Sequence, residues 1–215
     1  MPQIIQKKQL RYLTLLRPEP DPIIREMEKL AADKQIPILN WQAGELLEQI
    51  ILVQRPKNIL EIGTAIGYSS IRIARLLKGK SVLDTIEKSK PNIKLASGFL
   101  KKAGLGSKVN LIEGDALEIM PLLKKSYDLI FLDADKKDYE RLFLYSISLL
   151  KKGGMIFIDN LLWHGYAAPG PVPLSHASSA KIIRQFNKEF LNCPDLKSAI
   201  IPVGDGIGLG IKLRD

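Results

Sequence analysis

Between Lys57 and Asn160 the hydrophobic period of this chain switches repeatedly between about 2 and about 3.6 residues, and that alternation constrains the fold most. NILEIG, SVLDTIE, KVNLIEG, YDLIFLDA and GGMIFIDN are short apolar runs with strand character. Between them lie SSIRIARLL, PNIKLASGFLKKAG, ALEIMPLL and DYERLFLYSISLL, each with apolar positions at helical spacing. Strands alternating with helices predict a mostly parallel sheet covered on both faces. A Gly-, Pro- and Ala-rich loop follows over Leu161 to Ser175, then the helix SSAKIIRQFNKEFL. LKSAIIPV and GIGLGIKL flank GDG, which suits an antiparallel hairpin at the sheet edge. The expected fold is α/β, a Rossmann-like, doubly wound, mostly parallel seven-stranded sheet.

The first 55 residues precede any strand. Ile23, Ile24, Met27, Leu30 and Ala31 recur at helix spacing behind Asp21 and Pro22. Leu46, Leu47, Ile50 and Ile51 form a second stripe behind a candidate cap at Asn40. The 215 residues therefore read as one domain, with N-terminal helices over 1–55 and an α/β core over 56–215. Lys7, Lys8 and Arg11 interrupt any leader-like apolar run, and no stretch approaches a membrane span. The cytoplasm is the expected location, with no membrane partner. Cys193 is the single cysteine, so neither a disulfide nor a thiolate metal site is expected.

Three strand ends on the first half carry binding-site chemistry. Glu61-Ile62-Gly63-Thr64-Ala65-Ile66-Gly67-Tyr68-Ser69-Ser70 spans the first strand end and the next helix start. Gly63 permits a tight turn, Gly67 a close approach, and the helix start with Ser69 suits a carboxylate. The run lacks the three-glycine dinucleotide pattern and the Gly-Lys-Ser of a phosphate loop. Glu87, at the end of the second strand, can accept hydrogen bonds from both hydroxyls of a ribose. Asp115, with Ala116 at the third strand end, suits either a helix cap or an adenine amino group.

The second half supplies acids. Asp133 and Asp159 end the fourth and fifth strands, and Asn160 follows, where ligands bind in open sheets. Two carboxylates and an amide oxygen suit Mg²⁺, Mn²⁺ or Ca²⁺ and not zinc. Lys136, three residues past Asp133, is a candidate general base. Trp163 is a candidate acceptor contact in the loop. The chain's two histidines, His164 and His176, lack zinc-ligand spacing.

EIGTAIGYSS, Glu87, FLDADKKDY, MIFIDNLLWHG and IPVGDG together resemble the metal-dependent catechol and caffeoyl-CoA type O-methyltransferases, which are class I S-adenosylmethionine-dependent enzymes. The resemblance runs from Pro18 to Leu213. It implies that Glu61 and Gly63 line the methionine portion of S-adenosylmethionine and that Ser69 binds its carboxylate. Glu87 would hold the ribose, and Asp115 with Ala116 would border the adenine, with Asp133 beside the cofactor. Asp133, Asp159 and Asn160 would hold the metal, and Lys136 would act as base. A homodimer is also implied.

Within that family, LLRPEPDPIIREMEKLAADKQIPIL followed by AGELLEQI is most similar to the bacterial tRNA 5-hydroxyuridine methyltransferase branch. A formal charge of +9 and a pI near 9.5 fit a polyanionic partner. The expected acceptor is accordingly 5-hydroxyuridine at the wobble position of tRNA, with a small catechol-like or caffeoyl-type phenol as the alternative.

Overall fold

The computed structural model describes residues 7–214, and the first six positions of the N-terminal stretch read above lie outside them. Among the described residues, no helix is long and apolar enough to cross a membrane. Seven strands form one sheet: β1 (Asn58–Ile62), β2 (Val82–Glu87), β3 (Val109–Glu113), β4 (Tyr127–Leu132), β5 (Leu150–Ile158), β6 (Leu196–Ile201) and β7 (Ile207–Lys212). Their order is β3-β2-β1-β4-β5-β7-β6, with β1 to β5 parallel and β7 antiparallel to both neighbours. This is the expected Rossmann-like sheet with its edge hairpin. The order reverses between β1 and β4, so a crevice opens past the ends of those two strands.

Period-two alternation sorts the strand side chains between two cores. Ile59, Leu129, Phe131 and Phe157 face the first. There they meet α2 (Pro22–Lys34), α3 (Trp41–Gln54), α4 (Tyr68–Leu76) and α5 (Lys90–Lys102). Leu60, Ile62, Ile130, Leu132 and Ile158 face the second core, against α7 (Tyr139–Leu149) and α8 (Leu174–Leu191). Phe186 anchors that side, edge-on to Tyr139 and Phe143 at centroid distances of 5.3 and 5.4 Å.

Local chemistry explains the helix starts. The Asp21 side chain accepts from the Ile23 N–H at 2.8 Å and Asn40 from the Gln42 N–H at 2.9 Å, capping α2 and α3 as read. A further helix, α1 (Lys7–Leu16), precedes them. The predicted helix ALEIMPLL is shorter. Residues Ala116–Ile119 form α6, and the chain tightens into a 3₁₀ turn over Met120–Leu122, where Pro121 has no N–H to extend an α-helix. The helix expected from Ser178 starts at Leu174, just after Pro173, which shortens the preceding loop.

Candidate active site

A cavity of about 610 Å³ lies in the crevice at the strand switch. Gly63, Glu87, Asp115 and Ala116 line one side, while Asp133, Lys136 and Asn160 line the other. Trp163 and His164 stand at its rim. Seven of the ten expected site residues therefore meet in one space. The other three, Glu61, Ser69 and Asp159, do not line it.

Glu61 shows why. It shares a strand face with Ile59, so its side chain points under α4 and away from the crevice, and it is fully buried. There the carboxylate accepts hydrogen bonds from the Ser69, Ser70 and Thr85 hydroxyls, the last at 2.6 Å. Burial pushes the Glu61 carboxyl up to about 7, and the three hydroxyls only partly offset it. Ser69 donates to Glu61 and is itself buried, so the two side chains are engaged with each other behind the glycine loop. The alternation of β1 was the signal that would have found this.

Glu87 ends β2 and lines the cavity. Its two oxygens accept from the Ala65 and Ser89 N–H groups, both at 2.8 Å, which pins the glycine loop to the end of β2. A carboxylate offers about four lone-pair sites, so each oxygen keeps one for a ligand. Asp115 caps α6 through the Leu117 N–H at 2.9 Å, and its remaining edge faces the cavity.

The acid side is organised around Lys136, which is almost completely buried. Its ammonium donates to Asn160 Oδ1 at 2.7 Å, to Tyr139 Oη at 2.5 Å and to the Ala134 carbonyl at 3.1 Å. Asp133 Oδ1 lies 3.7 Å away. Burial pulls the lysine below its ordinary range, although Asp133, Asp159 and Asp205 pull it back up. Asp159 lies behind the cavity wall, where burial, then Asp133 beside it, pushes its carboxyl up to about 8. Among the described residues, no group of three or more His, Cys, Asp or Glu gathers to hold a metal. Asp133, Asp159 and the Asn160 amide come together around Lys136, which engages the amide oxygen at 2.7 Å.

Two residues were given no role from the sequence. Tyr139 Oη accepts from Lys136 and donates to the Asp159 carbonyl at 3.0 Å, so it fixes the lysine against the fifth strand end. Asp205, on the β6–β7 turn, accepts from the His164 N–H at 2.5 Å. The spacing of Lys136 and Tyr139 along one helical turn pointed to the first. The IPVGDG motif marked the second's turn without pointing to its contact with His164.

Comparison with known proteins gives one consistent answer. The O-methyltransferase family profile matches residues 18–213. Caffeoyl-CoA O-methyltransferase 2 of Petunia hybrida is 33% identical over 89% of this chain and 83% of its own length. Caffeoyl-CoA O-methyltransferase of Eucalyptus gunnii is 32% identical, over 91% and 82%. The crystal structure of the O-methyltransferase TomG from Streptomyces achromogenes, involved in tomaymycin synthesis and in complex with SAM, superposes with a TM-score of 0.84 at 26% identity, covering all of both chains.

These findings correct the acceptor expected from the sequence. The relatives are caffeoyl-CoA type enzymes, and the tRNA 5-hydroxyuridine branch is not what the chain most resembles. The tRNA partner falls with it. The basic residues agree with the correction, because several are engaged singly with acids: Lys125 with Asp84 at 2.9 Å, Lys151 with Asp128 at 2.7 Å, and Lys102 with Glu26. Nor do the findings carry the metal dependence that the sequence reading attached to the reaction.

Proposed function

This chain belongs to the O-methyltransferase family and is an S-adenosylmethionine-dependent O-methyltransferase, and from that premise we propose that it methylates a phenolic hydroxyl on a small catechol-like or caffeoyl-type acceptor. The observation that carries this reading is the position of Lys136. Its Nζ lies in one cavity with Glu87 and Gly63, beneath the Trp163 ring at 5.6 Å from the centroid. A flat ring entering under Trp163 brings a hydroxyl to Lys136. Transfer to a vicinal diphenol, read by mass spectrometry of the product, is the direct test. Absence of transfer to catechol, caffeate and caffeoyl-CoA alike would overturn it.

The residue roles follow from the same geometry. Bound S-adenosylmethionine supplies the electrophilic methyl group, while a divalent cation would lower the pKa of the acceptor hydroxyl. Glu87 offers a lone pair on each oxygen to the ribose hydroxyls, Asp115 and Ala116 border the base, and Gly63 admits the methionine portion. Glu61 and Ser69 support the loop from behind. Lys136 in its neutral form takes the hydroxyl proton. Trp163 orients the ring against Lys136.

Glu87→Ala should raise the dissociation constant for S-adenosylmethionine by roughly 100-fold, the loss of two hydrogen bonds to a charged group. Glu87→Gln should fall between. Calorimetry reads both, and wild-type affinity in the alanine variant would remove Glu87 from the cofactor site.

The donor set also fits a hard divalent cation. Asp133 is half-buried and Asp159 buried, and burial raises both carboxyls, so the pair resists ionising together unless a cation stabilises the charge. Asn160 would add an amide oxygen once released from Lys136. Exhaustive chelation should then lower turnover at least about tenfold, and added Mg²⁺ or Mn²⁺ should restore it. Titrating Mg²⁺ into apo protein by calorimetry gives a second reading. No heat, together with full activity in chelator, would exclude the cation.

A further inference from the structure

The turn between β6 and β7 packs against the segment that follows β5 and is wedged in place from both sides. The Gly206 carbonyl accepts from the Leu161 N–H at 2.9 Å, and the Asp205 carbonyl from the Leu162 N–H at 2.8 Å. A Cβ added to Gly206, at φ +85°, would lie 2.3 Å from Leu162 Cγ. One added to Gly204, at φ +59°, would lie 3.2 Å from Asn40 Cβ at the start of α3. Nothing larger than glycine fits at Gly206, so the residue between the two glycines has a fixed position.

That residue is Asp205, and the chain opposite it is strained. Asn160, Trp163 and His164 all hold left-handed backbone, at φ 63°, 46° and 57°, without being glycine. Asp205 Oδ1 accepts from the His164 N–H at 2.5 Å. Its Oδ2 lies 3.5 Å from Asn160 Nδ2 and 3.8 Å from His164 Nδ1. One mostly buried carboxylate thus contacts both ends of the strained segment.

The segment is what builds the rim. Trp163 packs against His164 and His176 at centroid distances of 5.2 and 6.0 Å. Tyr166 stacks on His176 at 5.2 Å and 27°. Arg184 holds the far end through the carbonyls of Tyr166, Ala167 and Ala168. Trp163 Nε1 is buried and has no hydrogen-bond partner, so the indole is held by its backbone and its ring contacts alone.

We propose that Asp205 is a positioning residue for acceptor specificity: it holds Trp163 and His164 in their left-handed conformation and so sets the aromatic wall that receives the acceptor ring. The consequence for the acceptor rests on the phenolic reading above; the effect on the wall does not. Asp205→Ala removes the acceptor for the His164 N–H. Asp205→Asn keeps a side-chain oxygen at the same place.

Trp41 and Trp163 are the only tryptophans, so a Trp41→Phe background isolates the emission of Trp163. In that background Asp205→Ala should shift emission to the red, as the half-buried indole and its buried Nε1 become wetter, and Asp205→Asn should restore most of the original spectrum. In the enzyme with Trp41 intact, Asp205→Ala should raise the acceptor KM about tenfold, while affinity for S-adenosylmethionine stays within about twofold. Unchanged Trp163 emission in Asp205→Ala overturns the proposal, as does an equal red shift in Asp205→Asn. A parallel loss of S-adenosylmethionine affinity also overturns it, because it would signal general loosening. If the wild-type protein methylates no phenol, the acceptor reading falls, and the emission comparison still decides the role of Asp205.

Discussion

Lys136→Met should slow methyl transfer about 10²- to 10⁴-fold, the range a positioned general base contributes, while S-adenosylmethionine affinity stays near wild type. Methionine keeps the length and apolar stem but cannot take a proton. The neighbours of Lys136 make the substitution informative. Asn160 Oδ1 and the Ala134 carbonyl can only accept, so they hold the lysine in place without competing for the acceptor's proton. Burial lowers the lysine pKa, so its neutral form appears at lower pH than in a free side chain. The wild-type rate should therefore rise with pH through that lowered value and then level, and the rising limb should be absent in Lys136→Met. Steady-state rates across pH, with cofactor affinity by calorimetry, check both parts. A variant within about threefold of wild type would remove Lys136 from the chemistry.

Most of the sheet was legible because each strand and helix announced its own period, and because parallel strands demand crossovers. The cavity was legible for a related reason. Gly63, Glu87, Asp133 and Asn160 all stand at the ends of parallel strands, and topology alone brings such ends together. The burial of Glu61 was not legible from the motif taken as a unit, because a strand sends its neighbours to opposite faces. Ile62 turns toward the second core, and Glu61, one residue earlier, turns under α4. The hairpin and its GDG turn were legible, but the role of Asp205 was not, since its contact with His164 joins residues 41 positions apart.

The acceptor was misread for a physical reason as well. Net charge is a sum, and phosphate recognition depends on where the charges lie and whether they are free. Asp128 shows the difference. Its carboxylate accepts from the Lys57 and Asn58 N–H groups at 2.9 and 2.8 Å and from Lys151 Nζ at 2.7 Å, stitching the starts of β1, β4 and β5. Lys151 counts toward the +9 but serves the sheet. Lys125 is engaged likewise, with Asp84, which also accepts from Tyr127 Oη and Asn110 Nδ2 at 2.9 and 2.8 Å.

Gly63→Ala should be the most damaging single methyl group in this protein. At φ +100° an alanine is strained wherever it sits, and here its Cβ would lie 1.9 Å from the Asp133 carbonyl oxygen. That oxygen is backbone and cannot swing aside. Nor can either strand end retreat, because the Asp133 N–H donates to the Ile62 carbonyl at 3.0 Å and the Gly63 N–H to the Ile86 carbonyl at 3.1 Å. Strain and overpacking together should cost roughly 3–5 kcal/mol. For a chain of this size that lowers Tm by roughly 10 °C. Gly67→Ala is the control. It carries similar strain at φ +87°, but its nearest neighbour is the Ala96 methyl at 3.3 Å, so it should lose roughly a third as much. Differential scanning calorimetry separates the two, and equal losses would show that backbone strain dominates over the clash. The folded remainder of Gly63→Ala should also bind S-adenosylmethionine weakly and turn over slowly, since pushing the β1 loop away from Asp133 opens the cofactor side and the acid side at once. A Gly63→Ala protein with wild-type Tm and activity would mean that the contact between the glycine loop and the fourth strand is not what holds the two halves of the site together.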